Sequence, residues 1–553
     1  MAISAAAITA PAIADTHIDN IQGITIDENG EIDRFTGLVL DDDGRIKQVL
    51  HGREKAPDKV DFRLDGGGKV MLPGMIDAHA HIMGIGFGAM ALDLSGTRSL
   101  AEAQAMIGEY AAANPNLPWI VGNGWNQEVW GLGRFPTAAE LDGIVSDRPV
   151  WLRRVDGHAG WANTLALQAG GVVAATKDPA GGRIERLAGS QAPSGVLVDE
   201  AMGLVASKQP ARRPEDYDLA LGKAQELLLK NGVTAMSDMG TDIFDWQAFR
   251  RAGDLGGLRV RIMSYAAGTD QMTLIGGPGP TPWLYGDRLR LNGVKLYVDG
   301  ALGSRGAALK ADYADAPGQR GLAVTGPVQL RNMMSRAALD KFQVAVHAIG
   351  DAANADLLNA IEEMSETYNG DRRWRIEHAQ IVDPADIARF GKFGIIASMQ
   401  PVHQTSDRTM AEARLDPQRL VGAYAWRSIS DAGARLAFGT DAPVEQLDPF
   451  AGLAAAATRT DADGQPYGGW YPQEAVSREA ALEAYTAGAA FAGFAEGRFG
   501  RLVVGEWADF IFVDRDPLMV SPADLRETRV LETWIAGRKE FSHLSEHLNL
   551  DAR

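Results

Sequence analysis

Along the chain, apolar and polar positions follow three successive rhythms. From Asp15 to about Val70, short alternating runs are broken by turns. Ile24-Thr25-Ile26 leads into Asp27-Glu28-Asn29-Gly30, and Gly37-Leu38-Val39-Leu40 into Asp41-Asp42-Asp43-Gly44. Asn-Gly and Asp-Gly between apolar runs are hairpin signals, because they accept the positive φ that tight hairpin turns need. The head is therefore a small β-module. Beyond it, strand-length apolar runs alternate with helix-length amphipathic stretches, the βαβ pattern of a parallel sheet. The runs are Met71–Asp77, Val233–Met239, Val260–Ala266, Leu291–Val298, Gln343–His347, Trp374–His378, Ile395–Gln400 and Arg435–Thr440. Eight such units predict an α/β fold closed into a (β/α)8 TIM barrel rather than an open sheet. Helices are expected over Ser99–Ala113, Tyr217–Asn231 and Ala353–Tyr368, the last two stopping at or near Asn-Gly.

The third rhythm begins with a helical pattern at Glu474–Gly488 and returns to strands at Arg501–Val504, Asp509–Val513 and Val530–Ile535. A β-rich tail that mirrors a β-rich head predicts one flanking β-sandwich, built from residues 15–70 and 500–545. The barrel then spans 71–499, with a large insertion after its first strand, about 85–225. An interruption of that length inside a domain is usually functional or a subdomain of its own.

Composition narrows the classes. The 553 residues are 46% hydrophobic and 23% charged, with a net charge of −18. Such an acidic chain is a poor partner for nucleic acid or an anionic membrane, and no apolar run is long enough to span a bilayer. A small-molecule substrate is the expected partner, and a homodimer the assembly kept in view. With no cysteine, any metal must be held by His, carboxylate or modified Lys. Residues 1–14 end in Ala12-Ile13-Ala14, an A-x-A pattern, but lack the basic residues of a signal peptide ahead of it. They read as a clipped signal peptide or an Ala-rich disordered leader; the first reading, with a periplasmic or secreted protein, is preferred over a cytoplasmic one.

Candidate chemistry collects where barrel strands end. His79 and His81, two apart, share a face of the first strand. Lys295 sits in the fourth strand, His347 closes the fifth, His378 the sixth, and Asp441 follows the eighth. Singly, each has an ordinary structural reading: Lys295 could pair with a buried carboxylate, and Asp441 could cap a helix. Jointly they point to a divalent metal, Zn²⁺ or a similar borderline ion, as one ion or two. A lysine in a dry strand is driven toward its neutral amine, which can take up CO₂ as a carbamate able to bridge two metals. Metal-activated hydroxide would then be the nucleophile, with Asp441 as general base and then acid. Trp125 and Trp130, in an aromatic Gly-rich segment of the insertion, are either core or substrate contacts, and Trp125 is kept as a substrate-binding candidate. His158, in Arg153-Arg154-Val155-Asp156-Gly157-His158, is either a hydrogen-bonded structural histidine or part of the site.

The motifs LPGMIDAHAH, RVDGHAGWAN, GVKLYVDGALGSRGAAL, VAVHAIGDAAN, RIEHAQIV, SMQPVHQTSD and FGTDAPV, with the tail GRLVVGEWADFIFVDRDP, resemble the metal-dependent amidohydrolase superfamily. The likeness is to its family 3 branch, which includes N-substituted formamide deformylase-like enzymes. It implies a metal site of His79, His81, Lys295, His347, His378 and Asp441, an N-carboxylated Lys295, and Asp441 as proton shuttle. It also implies that His158, Arg305 and His403 lie on the substrate side. One departure stands out: the branch often has Gly-Trp-Asp-Gln where this chain has Gly124-Trp125-Asn126-Gln127. The function expected is hydrolysis of a C–N bond in an amide, N-acyl amine or cyclic amide. The alternatives are an ester, lactone or carbamate cut by the same site, and a catalytically idle barrel that only binds metal or ligand.

Overall fold

The computed structural model describes residues 15–55 and 57–543; the reading of residues 1–14 as a leader lies outside them. Eight parallel strands form one sheet: Met75–Ala80, Val233–Thr241, Arg261–Ala267, Leu289–Tyr297, Gln343–Ala348, Arg375–His378, Ile396–Met399 and Arg435–Phe438. They neighbour one another in chain order, and the sheet curls into a nearly closed TIM barrel. Its seam, between first and eighth strands, is closed by hydrogen bonds at the strand ends. Asp441 N donates to His79 O at 2.7 Å and His81 N to Ala442 O at 2.9 Å, and the buried Asp77 carboxylate accepts from Thr440 N at 2.9 Å.

The interior is lined by small and apolar side chains, among them Ile76, Ala78, Ala235, Met263, Ala345, Ile396 and Ala437. The outer face packs on the surrounding helices. Pro214–Lys230 lies against Ile82–Met90, both helices contributing to the main core.

The two chain ends do meet. Phe510–Val513 pairs antiparallel with Val70–Pro73, which also pairs with Gln22–Ile26 in the same six-stranded sheet. Facing it is a four-stranded sheet of Ile46–Leu50, Gly37–Leu40, Thr16–Asp19 and Phe62–Asp65. Ile18, Leu38 and Leu40 from one sheet and Met71, Phe510 and Phe512 from the other fill the space between.

Three expectations are corrected. The run Met71–Asp77 is not one barrel strand: Val70–Pro73 belongs to the terminal sheet, and the first barrel strand is Met75–Ala80. Gly74 is the switch between them, where a Cβ would fall 2.2 Å from Thr234 Oγ1. Arg501–Val504 is not a strand; the backbone N–H of Arg501 goes to the Glu506 carboxylate instead of a ladder partner. Glu474–Gly488 is not one helix but Pro472–Glu474, Arg478–Ala484 and Ala487–Ala492, with Ser477 capping the second.

The insertion builds its own sheet in the order Gly182–Arg186, Pro193–Asp199, Ala159–Ala162, Val150–Arg154, Ile120–Trp125, Leu92–Asp93.

Candidate metal centre

The six metal-ligand candidates converge from the ends of five barrel strands. His79 is fully buried and His81, the residue before the helix Ile82–Met90, is half-buried. Asp441 lies between them and the histidines opposite. Its Oδ1 is 3.1 Å from His81 Nε2 and 3.5 Å from His79 Nε2. Its Oδ2 is 3.2 Å from His403 Nε2 and 3.9 Å from His378 Nδ1. Lys295 Nζ comes within 3.2 Å of His79 Nε2. The ring centroid of His378 is 4.6 Å from that of His79 and 4.6 Å from that of His347. Two donor triplets, His79–His81–Asp441 and His378–His403–Asp441, each lie within 4.8 Å, close enough for one ion. His378 and Asp441 both have left-handed backbones, φ 74° and 59°, which L-residues adopt only when their surroundings impose it. At Asp441 the seam hydrogen bonds do so.

Protonation suits a cation here. Burial, helped by the nearby Lys295, lowers the pKa of His79 to about 4, and burial pushes His347 and His378 well below the usual value. These imidazoles are therefore neutral donors. Burial alone would raise the Asp441 pKa, but His79, His403 and His81 outweigh it and keep the carboxylate charged. Burial brings Lys295 down to about 8, against Glu377 and Asp441. His403 behaves differently. It sits between Asp441 and Glu445, its Nδ1 3.2 Å from Glu445 Oε1. Burial opposes its charge, yet the two carboxylates hold its pKa well above the ordinary value. In the protonated form that the two carboxylates favour, His403 anchors Asp441 Oδ2; as a neutral ring it would complete the second donor triplet.

The sequence reading passed over Glu377 and Arg375. Both are fully buried in the barrel interior. Glu377 Oε2 is 2.6 Å from His79 Nδ1, and Arg375 holds Glu377 through Nε at 2.7 Å and Nη2 at 3.1 Å. Arg375 also donates to Ala78 O and to the Tyr265 and Ser398 hydroxyls. With Nδ1–H donated to Glu377, His79 offers its Nε2 lone pair to the site. The available signal was two opposite charges at i and i+2 in an otherwise apolar strand, Arg375-Ile376-Glu377.

The insertion brings His158 to the barrel mouth. Its ring centroid is 5.8 Å from that of His347, and Asp199 Oδ1 holds its Nδ1 at 2.7 Å. Two further candidates stand apart from this cluster. Trp125 is wholly buried in the insertion core, packed on Trp130, Phe135 and Trp161, with its Nε1–H donated to Leu152 O. Arg305 is tied to Asp315, Nη2 to Oδ2 at 2.7 Å, in a cluster with Arg414. Asn126, where the branch often has Asp, accepts from Arg154 Nη2 at 3.4 Å.

A (β/α)8 barrel with histidines and a carboxylate converging at its strand ends defines a metal-dependent hydrolase. The chain belongs to the Amidohydrolase family, which it matches over residues 64–539. It is 34% identical to Protein LONG AFTER FAR-RED 3 of Arabidopsis thaliana, across 86% of this chain and 82% of that one. It is 28% identical to the N-substituted formamide deformylase of Arthrobacter pascens, across 86% and 89%. An uncharacterized metal-dependent hydrolase from Pyrococcus horikoshii OT3 superposes with a TM-score of 0.74 at 26% identity, covering 92% of this chain and 99% of its own.

Proposed function

We propose that the protein hydrolyses a C–N bond of an amide, N-acyl amine or cyclic amide, with Asp441 as the proton shuttle. The observation that carries the reading is the position of Asp441, its two oxygens shared among four histidines at the end of the barrel. The donor set fits a divalent ion of borderline character such as Zn²⁺, one or two: neutral imidazoles, an ionised carboxylate and few competing cations. His79, His81, His347, His378 and Asp441 would hold it. Lys295 reaches the same point either as a free amine or as its carbamate. Bound there, the ion would supply Lewis acidity toward the carbonyl and lower the pKa of a water.

The remaining work falls to side chains. Asp441 accepts the proton of the attacking water and returns it to the departing nitrogen, whose lone pair must be captured for the C–N bond to break. His403, protonated between two carboxylates, holds Asp441 Oδ2 so that Oδ1 faces the water. His158, oriented by Asp199, would donate to the substrate carbonyl oxygen as charge builds on it. The Arthrobacter relative's name supports the amide class; an ester or lactone would use the same groups without needing nitrogen protonation.

The test uses matched N-formyl and N-acetyl amines and the corresponding esters. Metal-loaded protein is expected to cleave the amides and to lose activity on chelation. Asp441→Asn is expected to lower kcat by about 100-fold or more, in line with removal of a general acid–base. Ester cleavage without amide cleavage, or an Asp441→Asn protein as active as the parent, would overturn the reading.

A further inference from the structure

The base of the barrel carries two adjoining recesses, of about 270 and 320 Å³. They share Arg290 and Phe494; the first continues to Trp283 and Arg498, the second to Asn292, Lys341 and Arg372. These positions belong to the starts of barrel strands. Arg290 and Asn292 open the strand Leu289–Tyr297, Lys341 stands just before Gln343–Ala348, and Arg372 just before Arg375–His378. Lys295, His347 and His378 lie toward the other ends of the same three strands, so the barrel interior separates the recesses from the metal centre.

The charge of this lining is opposite to that of the chain. On a protein of net charge −18, the recesses collect Arg290, Arg372, Arg498 and Lys341 against a single acid, Asp371. Asp371 is held by Arg373 at 2.8 Å, and Arg498 is paired with Asp287 at 2.7 Å. Among the described residues no carboxylate lies within ion-pairing distance of Arg290, Arg372 or Lys341. Backbone carbonyls orient the two arginines without neutralising them: Arg290 Nε donates to Thr281 O at 3.3 Å and Arg372 Nη1 to Ala338 O at 2.9 Å. The Trp283 ring joins the cluster, 5.8 Å from the Arg290 guanidinium and 5.6 Å from that of Arg498. Asn292 is 3% exposed; its amide N–H goes to Gly493 O at 2.6 Å, and its Oδ1 has no partner. A buried polar atom left over in this way marks a place where water or a polar ligand completes the set.

We propose that these recesses form a second binding site, at the base of the barrel, for the dianion of a phosphate monoester. Gathering guanidiniums in a half-buried recess costs solvation and mutual repulsion, and a bound anion offsets both. Each guanidinium fork matches two oxygens in one plane, and two forks beside an ammonium call for more charge than one carboxylate carries. The rings of Trp283 and Phe494 give the organic part of the ester an apolar wall.

The experiment uses the metal-loaded full chain with phenyl phosphate as probe, followed by calorimetry. The parent is expected to bind it, to bind inorganic phosphate about 10-fold more weakly for want of the ring, and to ignore benzyl alcohol. Arg290→Met and Arg372→Met are each expected to weaken phenyl phosphate about 10-fold or more, the worth of a charge-assisted hydrogen bond. Arg290→Lys, which keeps the charge and loses the fork, should fall between parent and Arg290→Met. Lys341→Gln, at an exposed position, is a milder variant expected to weaken binding about 3-fold. Melting curves without ligand establish that each variant is folded, and the rise in Tm given by phenyl phosphate should shrink with the affinity. A parent that does not bind phenyl phosphate overturns the proposal. So does an affinity unchanged in Arg290→Met and Arg372→Met, which would place the anion on the metal instead. Inorganic phosphate bound as tightly as phenyl phosphate overturns the monoester assignment.

Discussion

At the scale of single residues, the site depends on which nitrogen of His79 carries its proton. Glu377, pinned by two hydrogen bonds from Arg375, accepts from Nδ1 and leaves Nε2 free. An amide in its place could donate to Nδ1 and select the wrong tautomer. Glu377→Gln is therefore expected to weaken metal binding about 10- to 100-fold, read as metal retained after dialysis against graded chelator, while Glu377→Asp retains more. Equal retention by parent and Glu377→Gln would show that Arg375 and Glu377 serve the barrel interior alone. These two charges were invisible as chemistry in the sequence because a strand shows only period, and Arg-Ile-Glu reads equally as a surface alternation.

At the scale of elements, the helix Ile243–Asp254 directly follows the second barrel strand, Val233–Thr241. Asp242 caps it, accepting from Phe244 N and Asp245 N, and Asp245 reciprocates to the Asp242 N–H. Negative charge at a helix start is normally favourable. Here burial, then the neighbouring Asp238 and Asp242, raise the Asp245 pKa to about 8. A carboxyl with a folded pKa above its unfolded value keeps its proton in the native state while the unfolded chain has already lost it. Stability therefore falls as pH climbs from about 4 toward 8. Asp245→Asn keeps the acceptor oxygen and removes the titration. Its melting temperature should match the parent's near pH 4 and exceed it increasingly toward pH 8. A pH-independent difference would place the strain elsewhere.

At the scale of the whole molecule, the terminal sandwich is bolted to the barrel at the end away from the site. Arg261, at the start of the third barrel strand, and Asp509, just before the strand Phe510–Val513, are both buried, with Nη2 2.9 Å from Oδ1. Asp509 also accepts from Ala536 N at 2.8 Å. Arg261→Met would strand a buried carboxylate and is expected to cost about 3–5 kcal/mol, measured by denaturant unfolding. Arg261→Met with Asp509→Leu should recover a large part of the loss. If the single variant unfolds like the parent, the interface is held by the apolar contacts alone.

Much of this was legible from residue order. Eight apolar runs at βαβ spacing implied the barrel, and histidines and an aspartate at their ends implied the metal centre, because strand period and strand ends are local properties. The split at Gly74 was not legible, since an apolar run looks the same whether one sheet or two receives it. Nor was the burial of Trp125 or the capture of Arg305 by Asp315. Each of these depends on what lies opposite a side chain across tens or hundreds of residues, and only the closed barrel with its inserted sheet decides that.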